Sequence, residues 1–289
     1  MSLPAAEAAA DRPDAFWRRF ARDRNAVIGG LIVAIAVAVA VLAPLLAPHP
    51  FARTSLINVW GAPDAGNWLG TDKLGRDILS RLIFGARTSL TVALSVLAIT
   101  LSLGVALGAV AGYFGGWADT FIMRIVDLVL AFPEVVFAIL VAAALGPGTL
   151  TVIVALSLVW WPGIARLTRS LVLVLREELF IDAAIVAGTP THRIILRHLL
   201  PNMAAPILVR ASVGVGFIIM AEATLSFLGL GVQEPAPSWG GMIRDGLAAL
   251  RTDPILATSG SVVLGLTIIG FNLWGDGLRD VLDPRLERQ

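Results

Sequence analysis

There is no cysteine among the 289 residues, which excludes disulfides, thiolate metal sites and a cysteine nucleophile. Histidine is scarce as well, with three: His49, His192 and His198. No G-x-x-x-x-G-K-[ST] phosphate loop occurs, so ATP hydrolysis by that means is excluded within the chain. Neither H-E-x-x-H nor G-x-S-x-G is present, and with them go two common hydrolase signatures. Charge is the largest deficit: 15% of residues are Asp, Glu, Lys or Arg, against about a quarter in a soluble domain. With 57% hydrophobic residues and a mean hydropathy of +0.82, the chain reads as an integral membrane protein. The net charge of +1 says nothing about nucleic acid, because the arginines are distributed by topology rather than clustered in one stripe. No large soluble domain is visible, so any energy source or soluble receptor is expected to be another chain.

What is present is a set of six apolar runs. Arg18, Arg19, Arg22 and Arg24 precede the first, at 26–47. At roughly 22 residues it exceeds a signal-peptide core of about 7–15 and is read as a retained span. The others lie near 89–112, 122–145, 149–168, 203–230 and 256–275. Each has about 20 residues or more, enough to cross a hydrocarbon core of about 30 Å. None alternates with period two, which argues against a barrel. The fold class expected is therefore all-α, with six transmembrane helices and both termini on one side. The segments are 1–25 (of which 1–15 are expected to be disordered), the first helix 26–47, a connecting segment 48–88, a five-helix core 89–275 and a tail 276–289. Placing the N-terminus in the cytoplasm puts fifteen Lys and Arg inside and seven outside, the bias expected of cytoplasmic loops.

Two polar stretches interrupt the apolar pattern. In "GTDKLGRDILSRLIFGARTSL", Gly70 to Leu90, apolar Leu74, Ile78, Leu82 and Ile83 recur at helical spacing among Lys73, Arg76, Arg81 and Arg87. That pattern predicts an amphipathic helix along the membrane surface. The second stretch, "DAAIVAGTPTHRIILRHLLPN", lies in the cytoplasmic loop 176–202. A short helix over Asp182–Ala187 leads to Gly188, where the backbone can reverse, and Pro190 suits the first turn of a second helix. That helix sets Ile194, Ile195, Leu199 and Leu200 against His192, Arg193, Arg197 and His198, and is expected to end at Pro201. Such a pair either rests on lipid head groups or docks into a soluble partner.

Other residues carry two readings each. Gly104, Gly108, Gly112 and Gly116 recur every four positions, which suits close helix contact, within the chain or with a partner. Glu222 lies inside the fifth span, either on a translocation path or subunit contact or in a hydrogen bond to a neighbouring helix. Asp127 and Glu134 share a face of the third span; Asp127 is expected to pair with Arg124, and Pro133 to kink the helix. Trp160 and Trp161 read as an interface anchor. Trp239 and Pro237 sit in a Pro/Gly-rich outer loop and are candidates for contact with a binding protein or an outer gate. A competing class, an intramembrane enzyme, would need Asp127, Glu134 and Glu222 to converge.

The spacing Asp182-Ala183-Ala184, three residues, Gly188, nine more, then His198-Leu199-Leu200-Pro201 resembles the EAA loop of permease subunits of binding-protein-dependent ABC importers. Asp182 stands where glutamate is usual and His198 where isoleucine is common. The Gly70–Leu90 stretch, "LSFLGLGVQEPAPSWGGMI" and "FNLWGDGLRDVLDPRL" resemble three further blocks, in order, of the C-type permease of the dipeptide/oligopeptide/nickel family. The resemblance covers about Phe16 to Leu286. It implies a type I ABC importer permease fold in the bacterial inner membrane, with a second homologous permease, two cytoplasmic ATPase subunits and an extracytoplasmic substrate-binding protein as partners. It also implies di- or oligopeptides as cargo, or nickel, glutathione or another small peptide-like solute. ATP and magnesium would sit on the ATPases, this chain binding no cofactor or metal and catalysing nothing. The residues implied for ATPase coupling are Asp182, Ala183, Ala184, Gly188, Arg193, His198, Leu200 and Pro201.

Overall fold

A computed structural model describes residue 18 and residues 20–282. The disorder expected for 1–15 lies outside the described residues, as do 283–289 of the expected tail. Among the described residues there is no strand, only one bridge between Thr71 and Asp77. Among the described residues five helices are long and apolar enough to cross a membrane, and a sharply bent pair makes a sixth crossing if counted as one. In chain order they are α1 (Arg24–Val41), the short α2 (Ala43–Leu46), α3 (Ile78–Phe114), the bent pair α4 (Gly116–Leu130) and α5 (Glu134–Leu145), and α6 (Thr149–Leu175). The short α7 (Leu179–Val186) and α8 (Thr191–Arg193) follow, then a π-helical turn Ile194–Leu199 that runs into α9 (Leu200–Phe227), and finally α10 (Trp239–Leu247) and α11 (Ile255–Leu282).

The expected spans are all present, with different ends. α1 begins where the Asp23 carboxylate accepts a hydrogen bond from the Ala26 N–H at 2.7 Å, an N-cap that satisfies an orphan donor. The surface helix expected before the second span does not form. Residues 70–77 make a tight turn instead, and α3 runs 37 residues from Ile78 in one piece. Asp77 sets that start, its carboxylate accepting from the Ser80 N–H at 2.8 Å. The third span breaks: α4 and α5 meet at 91° around Ala131-Phe132-Pro133, where proline removes a donor and crowds the preceding turn. The fifth helix does not begin after Pro201. It starts at Thr191, and the wider π turn relieves the clash that Pro201 would otherwise make with the carbonyl four residues back. α11 extends to Leu282, into the expected tail.

Small residues set the helix spacing. α3 and α6 form the most extensive pair. Along their contact, a Cβ on Gly104 would lie 2.7 Å from Ile164, on Gly108 2.4 Å from the Ala165 carbonyl oxygen, and on Gly112 2.8 Å from Val172. The glycine stripe therefore packs within this chain. The partner-permease or pathway role expected for Gly104, Gly108 and Gly112 is not available to a face that is already covered. Gly116 lies apart, with nothing within 4 Å. Gly29, Gly270 and Gly277 do the same service between α1 and α11. In lipid, where apolar burial gives no net gain, such close backbone approach and its dispersion contacts replace the hydrophobic drive.

Ion pairs hold α4 on α6. Arg169 grips Asp119 through two hydrogen bonds, and Arg166 reaches Asp127 at 2.5 Å. The partner of Asp127 is thus Arg166 across the helix pair, where the crossing geometry overrides the expected local pair with Arg124. Trp161 is buried with Val126 and Ala165, and Trp160 packs over Phe217 with centroids 6.1 Å apart, so these tryptophans pack against helices rather than anchor at an interface. Glu222 is fully buried and accepts from the Ser89 hydroxyl at 2.9 Å and the Ser226 hydroxyl at 2.7 Å. It takes the helix-bridging role, not a place on a path or subunit contact, because both carboxylate oxygens already have donors.

At the end of the bundle opposite α7 and α8, residues 47–77 and 228–254 interlock. Arg76 Nε donates to Asp72 at 2.6 Å and Nη2 to Glu234 at 3.0 Å, Arg81 Nε lies 3.3 Å from Asp72, and Lys73 Nζ lies 3.0 Å from Asp245. Trp239 is fully buried, and its Nε1 donates to the Leu82 carbonyl at 3.1 Å, while its ring lies over Gly85. Pro237 is buried too. The docking role expected for Trp239 and Pro237 is corrected accordingly: they plug the bundle, and the exposed part of their loop is Gln233 to Pro235.

Gly108→Leu is expected to push α3 and α6 apart at a cost of about 1–3 kcal/mol, read as a lower thermal midpoint in detergent. Gly265→Leu, at a position with nothing within 4 Å, serves as the control that leaves the midpoint in place. The cap supplies a second test. Partial burial of Glu234 works to raise its carboxyl, but the Arg76 hydrogen bond and the charges of Arg76 and Lys73 win and hold it down at about 2. Stability from a depressed carboxyl is complete above its ordinary 4.5 and fades as pH falls towards 2. Glu234→Gln is expected to unfold at a lower temperature than the parent at pH 7, with the gap closing as the pH is taken from 4.5 towards 2.

Candidate functional site

The end of the bundle carrying α7 and α8 exposes a cluster of apolar side chains beside charged ones. α6 stops at Leu175, and the Arg176 guanidinium donates to the Gly112 carbonyl at 3.3 Å, which ties the ends of α3 and α6 together. α7 follows as eight residues, with Asp182 in its first turn, where a carboxylate favours the helix N-terminus. A helix so short is not stable alone. It is held by Ile181, which is fully buried against Ile194, Leu199, Val172, Met203, Ile207 and Ala109.

The reversal after α7 is a Schellman motif. The Gly188 N–H donates to Ile185 at 2.9 Å and the Thr189 N–H to Ala184 at 3.0 Å, so two orphan carbonyls are satisfied at once. Gly188 sits at φ +73°, which a residue with a Cβ adopts only with strain. Nothing lies within 4 Å of the position, so the requirement for glycine is conformational and the space beside it is open.

The outer surface of this hinge is apolar with a cationic flank. Leu179 is 83% exposed and Val186 88%, and Phe180, Ile185 and Leu196 add further exposed apolar area. Beside them His192, Arg193 and Arg197 are exposed, as are Asp182, Ala183 and Gly188. An apolar patch rimmed by charge on a protein end marks a place where a partner sits.

Sequence reasoning located the stretch and misjudged some of its members. Asp182, Ala183, Gly188 and Arg193 share the surface, with Pro201 exposed farther along. Ala184, His198 and Leu200 are half-buried, Ala184 and Leu200 packing against the Ile194 and Leu199 cluster. The exposed surface also contains Leu179, Phe180, Val186 and Leu196, which passed unnoticed because one apolar residue does not stand out in an apolar chain. The signal that could have found them is α7 itself, apolar but for Asp182 and yet too short to cross lipid.

Elsewhere the enzyme reading finds no assembly. Asp127 is paired with Arg166, Glu222 is sealed among serines, and Glu134 is exposed at the start of α5. Among the described residues no group of three His, Asp or Glu could hold a metal ion.

Residues 104–288 match the family described as binding-protein-dependent transport system inner membrane component. Residues 14–63 match the N-terminal TM domain of oligopeptide transport permease C. The dipeptide transport system permease protein DppC of Alkalihalophilus pseudofirmus is 41% identical over 271 residues, covering 94% of this chain and 89% of that protein. The glutathione transport system permease protein GsiD of Pectobacterium atrosepticum is 41% identical over 276 residues, covering 94% and 91%. A second dipeptide permease, DppC of Bacillus subtilis, is 40% identical over 273 residues, covering 94% and 85%.

Truncating Ile194, the buried link between the hinge and the bundle, to alanine is expected to cost about 2–5 kcal/mol and to raise protease cleavage within 176–202. Val186→Ser, on the exposed side, is expected to stay within about 0.5 kcal/mol of the parent.

Proposed function

The chain belongs to the family of binding-protein-dependent transport system inner membrane components, and we propose from that premise that it carries di- or oligopeptides across the bacterial inner membrane. It is a multi-pass permease subunit of an ATP-driven importer and not an enzyme. Partner ATPases and a substrate-binding protein belong to such a system. The finer assembly proposed is one second homologous permease and two cytoplasmic ATPase subunits. ATP and magnesium sit on those ATPases, and this chain holds no nucleotide. Both termini and the α7–α8 hinge face the cytoplasm, in line with the excess of Lys and Arg on that side.

The observation that carries the coupling role is the hinge surface itself. Leu179, Phe180, Ile185 and Val186 are offered outward from a helix whose one buried residue, Ile181, is wedged among side chains of α3, α6 and α9. Asp182, Ala183, Ala184, Gly188 and Arg193 form its contact and turn; His198, Leu200 and Pro201 carry it into α9. When the ATPases close on ATP, a push on α7 passes through Ile181 to the hinge ends of three spanning helices. Because packed interiors resist local deformation, the helices move together, and the path opens to one side and closes to the other.

The relatives carry dipeptides and glutathione in their names at nearly equal identity. Glutathione, itself a small peptide, is the second cargo reading. The binding protein that delivers the solute would choose between them.

Gly188→Asp tests the coupling role. It strains the backbone at φ +73° without filling any packed space. The variant is expected to insert and to copurify with its partners, while ATP hydrolysis proceeds without uptake. Normal uptake by that variant would remove the hinge from the mechanism.

A further inference from the structure

Several charged side chains of the described spanning helices have no ion pair or side-chain hydrogen bond, and two of these, Arg210 and Glu134, lie near the middle of their spans. Arg210 lies on the continuous apolar helix Thr191–Phe227, is exposed, and is level with Gly163 of α6. Its Nη2 is 4.0 Å from where a Cβ on Gly163 would be, and its Nη1 is 4.0 Å from the corresponding point on Gly214. Two absent side chains thus leave the guanidinium a bed, closed on one side by Trp160, whose ring also lies 4.0 Å from the Gly214 point. Glu134 is the first residue of α5, at the 91° break. α5 turns back on α6 through residues 146–148, and twelve residues at about 1.5 Å each bring Glu134 to the depth of Trp160. Both side chains are exposed, and among the described residues neither has an ion pair or a side-chain hydrogen bond.

A charge at that depth faces protein or water rather than lipid, and a broken helix is tolerated there only where it lines a cavity or is covered by protein. The next charges towards the hinge end are the exposed Asp127–Arg166 pair, set among exposed apolar side chains that include Leu128 and Phe132.

We propose that Glu134 and Arg210 are two charge-complementary subsites of the translocation path, Glu134 receiving the ammonium group and Arg210 the carboxylate of a free-ended peptide. The assignment rests on the peptide reading above. An arginine fork suits a terminal carboxylate because it donates two parallel hydrogen bonds, and Trp160 beside it offers an apolar wall. Opposite charges held apart bind neither end of a neutral solute strongly, yet orient a zwitterion as it passes.

The natural absence of cysteine makes the test direct. Glu134→Cys and Arg210→Cys are each assembled into the complete importer, with partner subunits free of reactive thiols, and the uptake of alanyl-alanine is followed in vesicles. Each variant is expected to lose about tenfold in uptake, the scale of one lost charge-assisted hydrogen bond. A sulfonate-bearing methanethiosulfonate should restore uptake at position 134 and an ammonium-bearing one at position 210, with the opposite label failing at each. Thiols that stay unreactive in the assembled importer, or variants that no longer copurify with the second permease, would place these charges in a subunit contact and overturn the assignment. Uptake indifferent to the sign of the label would overturn it as well. If the unmodified importer carries its solute but no free-ended dipeptide, the peptide reading falls and takes this assignment with it; if it carries the dipeptide and the labels have no effect, only the assignment falls.

Discussion

The backbone contact between α3 and α6 is the constraint on which the rest of the molecule depends. Gly104, Gly108 and Gly112 bring the two helices so close that a single added methyl would meet the backbone or a side-chain stem on the other side. That closeness has to come from glycine, since lipid is as apolar as leucine and offers no reason for two greasy helices to associate. Once α6 is fixed against α3, its other faces become the template for the remaining helices. Arg166 and Arg169 hold α4, the upper half of the helix receives α5, and the far end continues into the hinge.

The same contact makes the hinge useful. A short exposed helix on a loose tether would absorb a push by moving alone. Here Arg176 bonds back to Gly112 at the end of α3, and Ile181, Ile194 and Leu199 form one buried cluster with Val172, Met203 and Ile207. Force applied to α7 therefore reaches α3, α6 and α9 through packed side chains. The reversal at Gly188 separates α7 from the helix that follows, and the π turn keeps α8 continuous with α9 across Pro201.

The sequence carried the class of fold, the number of spans and the hinge, because these rest on long hydropathy runs and on local backbone chemistry. Gly188 could be read since only a left-handed position asks for glycine after a short helix. The misreadings share one cause, which is that a membrane chain hides tertiary contacts from local pattern. The Gly70–Leu90 stretch has the periodicity of a surface helix, yet the Asp72, Arg76 and Arg81 charges that suggested solvent are buried against one another and Glu234. Trp239 looked like a loop aromatic and is a plug, because its donor found the Leu82 carbonyl 157 residues away in sequence. Arg124 lost Asp127 to Arg166 for the same reason: helix crossing brought a more distant base closer than the neighbour one turn away.

What separates structural from functional charge in this chain is completion. Glu222 is as costly a group as a membrane interior can hold, but two serine hydroxyls meet its two oxygens, and nothing is left over for a ligand. Asp72 is likewise spent on Arg76 and Arg81. By contrast, the exposed cations of the hinge and the unmatched acid and base at mid-depth are charges the isolated chain has not satisfied. Leaving a charge unsatisfied in or beside a bilayer is unfavourable by about 2.5–3.5 kcal/mol at the centre of a helix on insertion scales. Such a charge is tolerable only where water, another subunit or a passing solute completes it. Two sets of incomplete groups, one at the hinge end and one halfway across, fit the proposed division of labour: a place to receive work and a place to spend it on something charged.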